Sequence, residues 1–82
     1  MISLQTHIEN MIAANIKLRN MVLEDIGSMK MVLVAAKDRE LRDRLEVLIK
    51  YEMCEVEEIS QENRGLYEEL RSIKGLPGGG SS

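Results

Sequence analysis

The chain has 82 residues, of which 44% are hydrophobic, 30% are charged and only 2% are aromatic. Eleven basic residues against fourteen acidic ones give a formal net charge of −3, and the bases alternate with acids along the chain, which argues against nucleic-acid binding. The longest uninterrupted apolar run, 31–36, is too short for a membrane span, which needs roughly 20 residues.

The first predicted element is a helix over about 3–35. Its apolar and near-apolar positions alternate in steps of four and three, which predicts a helix-packing seam made of Leu4, Ile8, Met11, Asn15, Leu18, Val22, Asp25, Met29, Val32 and Ala36. A second stripe widens this face and consists of Ile12, Ile16, Leu23 and Ile26. A face this broad favours packing in a bundle over a two-stranded rod.

A turn is predicted near 36–38, where the apolar pattern loses its register. Asp38 is placed to cap the next helix, and Glu40 lies in the first turn, where the helix dipole favours a negative charge. The alternative break is at Gly27 and Ser28, although one glycine inside a strong helical pattern costs only about 1 kcal/mol.

A second helix is predicted over about 39–73, with a helical repeat carried by Leu41, Leu45, Leu48, Ile49, Val56, Ile59, Leu66, Leu70 and Ile73. The two helices are equal in length, so we expect an antiparallel hairpin over 1–74. Gly75 is predicted to cap the second helix and Pro77 to stop it. Residues 75–82 are expected to form a flexible glycine- and serine-rich tail, either a native tether or an added sequence.

A hairpin of this size has a thin core, so association is expected to complete it. Small chains bury too little surface to be stable alone, which predicts a homo-oligomer, at least a dimer. The predicted fold class is therefore all-α, a long antiparallel helical hairpin that self-associates into a four-helix bundle. The start of the chain lacks the pattern of a secretory signal, and Cys54 is the only cysteine, so a cytoplasmic location is expected.

Acidic residues occupy unusual places on the predicted seams. Following the second helix through Leu41, Leu45 and Leu48 in the same steps leads to Glu52 and Glu55, which would then face the core. A buried carboxylate must be paired, protonated or bound to a cation. Glu24 and Asp25 on the first helix lie at the same height if the turn is near 38, so a metal site is one interpretation. The other is that these glutamates are solvated or neutralised by lysine and arginine side chains.

The spacing Glu24-x13-Asp38-x-Glu40-Leu41-Arg42-x2-Leu45-x6-Glu52-x2-Glu55 resembles half of a ferritin-like bundle of the rubrerythrin and encapsulated-ferritin type. The resemblance covers about 8–60. It implies that Glu24, Glu52 and Glu55 bind iron or another divalent metal between two hairpins, with Glu55 standing where the family has histidine. If the protein were an enzyme, the resemblance would imply ferroxidase-like di-iron chemistry.

These observations lead to two main functional hypotheses, beside a third in which the chain is a purely structural coiled-coil spacer. The first is an oligomeric helical-bundle protein that binds divalent metal through Glu24, Glu52 and Glu55. The second is a non-enzymatic adaptor, chaperone or assembly protein whose apolar face, which includes several of the six methionines, binds a helix of a protein partner. Asn15 and Asn63 on the seams are expected to fix the register of the helices.

Overall fold

A computed structural model of the chain describes residues 3–75. It contains two helices, α1 (Leu4–Ala35) and α2 (Arg39–Lys74), which pack against each other along their lengths. The molecule measures 62 × 19 × 18 Å, as expected for two helices of more than 30 residues side by side. The prediction of an all-helical hairpin is therefore confirmed. Neither of these helices is long and apolar enough to cross a membrane.

The ends of the helices follow from short polar sequences. Ser3 caps α1, because its hydroxyl oxygen accepts a hydrogen bond of 3.1 Å from the backbone N–H of Thr6. Asp38 stands at the N-cap position of α2 without a capping hydrogen bond from its side chain. Gly75 is the C-cap of α2, and its φ of −88° lies in the right-handed helical region. Pro77 and the tail from residue 76 onwards lie outside the described residues.

The hairpin turns at residues 36–38, and α1 runs without interruption through Gly27. A methyl group built on Gly27 would meet nothing within 4 Å. This glycine therefore makes no close contact with the other helix, and the alternative break at Gly27 is not present.

Most of the buried apolar side chains form two clusters separated along the hairpin, and Leu45 and Ile59 are buried outside these clusters. The cluster near the open end contains Ile8, Ile12, Leu66 and Leu70, with Ile16 and Ile73 packed against it. The cluster near the turn contains Val22, Ile26 and Ile49, with Met29, Leu33 and Val56 packed against it. Burial of these side chains holds the two helices together.

A polar layer lies between the two clusters. Asn63 is only 5% exposed, and its amide oxygen accepts a hydrogen bond of 2.9 Å from the Asn15 side chain. The Asn63 amide nitrogen donates to the backbone oxygen of Ile12 at 3.4 Å. Because a buried amide without partners is costly, this pair favours the observed alignment of α1 with α2.

The predicted seams are confirmed in part. On α1, alternate members of the first seam face inward together with part of the second stripe, whereas Leu4, Met11, Leu18 and Val32 are exposed; the inward residues are Ile8, Ile12, Asn15, Val22, Ile26 and Met29. On α2 the predicted repeat faces inward except at Leu41 and Leu48, which are exposed. On both helices the apolar residues cover a broad arc of the surface. The residues in either half of that arc recur at the helical spacing, so the repeat alone does not show which half is buried. The hairpin buries the half richer in isoleucine, and aligns Asn15 with Asn63.

Candidate functional site

The three predicted metal ligands do not share one place in the structure. Glu52 lies on the inward side of α2 between Ile49 and Val56 and is half-buried. Glu55 is exposed, because Val56 takes the inward position that was predicted for it. Glu24 is exposed on α1.

Asp25, rather than Glu24, is the α1 carboxylate that meets Glu52. The two side chains approach across the hairpin closely enough to share a hydrogen bond. That hydrogen bond, followed by partial burial and the negative charges of Asp25 and Glu55, raises the pKa of Glu52 from 4.5 to about 6. Successive residues on a helix are turned by about 100°, so Glu24 points to a different side of α1. The sequence signal for Asp25 was its place on the first predicted seam.

Asp25 and Glu52 are the two carboxylates that the hairpin brings together across its helices. Over residues 3–75, no group of three or more histidine, cysteine, aspartate or glutamate side chains is arranged so that it could hold a metal ion. A divalent cation with oxygen ligands takes about six or more, so a metal bound to Asp25 and Glu52 would take its further ligands from water or from a second chain.

Comparison with known proteins gives no guide to the function. No family model, curated protein or solved structure matches the chain. The resemblance to ferritin-like bundles therefore stays a prediction.

The main feature of that surface is a row of large apolar side chains that the hairpin leaves about half exposed. We call it the heptad face, because its members fall at multiples of seven residues: Leu4, Met11, Leu18 and Val32 on α1, then Leu41 and Leu48 on α2. Asp25 continues the row on α1, and Glu55, Glu62 and Glu69 continue it on α2.

The two halves of the heptad face lie on the same side of the hairpin. On each helix, the residues of the heptad face lie one position before a row of residues that point into the hairpin. These inward residues include Ile12 and Ile26 on α1, and Ile49 and Val56 on α2. Seen from the open end, α1 winds clockwise away from the viewer, and α2 winds counterclockwise towards the viewer. Because the two helices face each other and wind in opposite senses in this view, the position before an inward residue falls on the same side of the hairpin in both helices. The exposed apolar side chains of this row, on both helices, therefore form one face of the hairpin.

The histidine and the cysteine of the sequence are both exposed. His7 is exposed near the open end of α1. Cys54 is exposed on α2 as a free thiol. The chain thus brings together one carboxylate pair and one broad apolar face.

Proposed function

We propose that this chain is an assembly protein whose hairpin is one half of a four-helix bundle, completed by a second copy that packs on the heptad face. The single observation that carries this proposal is the spacing of the exposed apolar residues. Leu4, Met11, Leu18 and Val32 keep the same seven-residue repeat as the buried core, which is the repeat that helices use to pack against neighbours.

The size of the core supports the same conclusion. The two apolar clusters contain seven buried residues between them, and several large side chains remain outside. Two helices have only one mutual interface, whereas a four-helix bundle gives each helix two neighbours. A second copy would therefore cover the half of each apolar arc that the hairpin itself leaves open.

The charges on the heptad face favour an antiparallel arrangement of the two copies. On α2, Glu62 and Glu69 lie towards the open end and Glu55 near the middle, whereas Leu41 and Leu48 lie towards the turn. In parallel copies the glutamates of the two α2 helices would lie at the same height, where like charges repel one another. In antiparallel copies the acidic part of one α2 lies at the height of Leu41 and Leu48 of the other.

The mass of the purified chain in solution tests this proposal. Sedimentation equilibrium is expected to give twice the chain mass of 9.3 kDa, with dissociation only on dilution. A monomer at all accessible concentrations would contradict self-association. A monomer that gains helicity and a stable complex with a partner helix would instead support the adaptor hypothesis.

Metal binding is the second candidate function, and the contact between Asp25 and Glu52 favours it. Two carboxylates held together across a helix pair are a common source of metal ligands in bundles, as in the ferritin-like proteins that the sequence resembles. Two parallel hairpins would bring four such carboxylates together, whereas antiparallel hairpins would keep the two pairs apart. The two candidate functions therefore differ in the orientation of the copies.

Titration with iron(II), manganese and zinc separates them. A metal site predicts saturable uptake that is lost in Glu52→Ala and retained in Glu57→Ala, an exposed glutamate on the same helix. If no metal is taken up, or if the two variants take up equal amounts, the proposed metal site at Glu52 is contradicted.

A further inference from the structure

A groove with three arginines lies on the side of the hairpin opposite to the heptad face. Its volume is about 420 Å³, and its polar lining consists of Arg19, Ser60, Asn63, Arg64, Glu68 and Arg71. We call this feature the arginine groove. Three guanidinium groups against one carboxylate make its lining cationic in a chain whose net charge is −3.

The spacing on α2 explains how these residues come together. Ser60, Arg64, Tyr67 and Arg71 follow one another at steps of four, three and four, so they form one stripe along the helix. Arg19 reaches the same groove from α1, beside Ile16. The ring of Tyr67 and the side chain of Ile16 supply apolar walls on either side of the cations.

The three arginines of the groove differ in burial, since Arg64 and Arg71 are exposed and Arg19 is half-buried. Within residues 3–75 none of them forms an ion pair, since the ion pair found there joins Arg44 to Glu40 near the turn. The Nε–H of Arg19 is buried and has no hydrogen-bond partner. An unsatisfied buried donor of this kind is uncommon in folded proteins and calls for a partner.

We propose that the arginine groove binds a small oxyanion, the phosphate or carboxylate group of a small molecule. Guanidinium groups present donors in a planar fork that matches two oxygens of such an anion. The side chain of Arg19 would turn to donate its Nε–H, which has no partner within the hairpin, to an oxygen of the anion. Arg64 and Arg71 would donate from α2, and the hydroxyl groups of Ser60 and Tyr67 lie on the same stripe.

The size and shape of the groove favour a small anion over an extended polyanion. Recognition of a nucleic-acid backbone requires cations distributed along a track that follows the phosphates. Here the cations surround one groove of about 420 Å³, with Glu68 at its edge. The site uses the face away from the proposed dimer contact, so it does not depend on self-association.

Titration of the purified protein with pyrophosphate and with citrate, each followed by NMR of backbone amides and arginine Nε–H groups, tests this inference. We expect saturable shifts of the Arg19 Nε–H signal and of amides near Ser60 and Arg64. The anion that binds more tightly identifies the ligand as phosphate or carboxylate.

The matched variants are Arg71→Gln and Arg39→Gln, which each remove one exposed arginine from α2, the first inside the groove and the second near the turn. Loss of a charge-assisted hydrogen bond is expected to weaken binding about tenfold to a hundredfold in Arg71→Gln. Arg39→Gln is expected to bind like the original chain. Equal weakening in both variants, or shifts that never saturate, would overturn the proposal. Unchanged binding in Arg71→Gln would overturn it as well.

Discussion

Replacing Leu18 by glutamate is expected to weaken self-association strongly. Leu18 lies in the heptad face and is 47% exposed in the single hairpin. Complete burial of a leucine side chain stabilises by about 1.5–3 kcal/mol, so covering its exposed part contributes roughly 0.7–1.4 kcal/mol. A two-fold symmetric dimer contains two such side chains, which gives about 1.4–2.8 kcal/mol for the contact.

This free energy converts into an increase of roughly 10- to 100-fold in the dimer dissociation constant. The value is a lower limit, because the introduced carboxylate also loses hydration when the interface closes. Leu18 is not part of either buried cluster, so at concentrations where the variant still dimerises its helix content should match that of the original chain.

The assay is sedimentation equilibrium over a concentration series, with far-UV circular dichroism to compare helix content. Met31→Glu is the matched control, because Met31 is 76% exposed on the same helix. It lies about 140° around the helix axis from Leu18 at 100° per residue. The control introduces the same charge and should dissociate like the original chain. If both variants weaken association equally, or if Leu18→Glu associates normally, the heptad face is not the interface.

Three further predictions concern the hairpin itself. The pKa of Glu52 rises from 4.5 to about 6 beside Asp25, so the folded state holds more protons in this range and stability should fall as pH rises through it. In the Glu52→Gln variant, the unfolding temperature should not show this decrease with rising pH. If the variant has the same pH profile as the original chain, the contact between Glu52 and Asp25 is refuted. Gly27→Ala should raise the unfolding free energy measured by urea titration by about 0.5–1 kcal/mol, because a methyl group meets no neighbour there and alanine is the better helix former. A loss of stability would contradict this prediction. Asn63→Ala should cost about 1–3 kcal/mol, and a double-mutant cycle with Asn15→Ala should be non-additive because the two share a hydrogen bond. Additive losses would contradict the pairing.

Much of the fold could be predicted because it depends on local rules. The apolar repeat before and after residues 36–38 indicates two helices, and the interruption of that repeat marks the turn. Equal helix lengths then leave an antiparallel hairpin as the compact arrangement. The same reasoning placed Asn15 and Asn63 on the seams, where the structure pairs them.

The candidate site could be predicted only in part. Glu52 was correctly singled out as a carboxylate near the core, and Asp25 was available as its partner from the first helix. The exposure of Glu55 and the direction of Glu24 could not be read from the sequence. Each depends on the rotation of a helix about its own axis, and a shift of one residue turns a side chain by about 100°.

The sequence by itself determined the two helices, their ends and the presence of an apolar arc too broad for one neighbour. The tertiary structure decided which half of that arc is buried in the hairpin and which half remains as the heptad face. It also brought Arg19 of α1 to the stripe of Arg64 and Arg71 on α2. The physical reason is that a helical repeat fixes positions along and around one helix, whereas the rotation and alignment of two helices depend on the summed packing and hydrogen bonding between them.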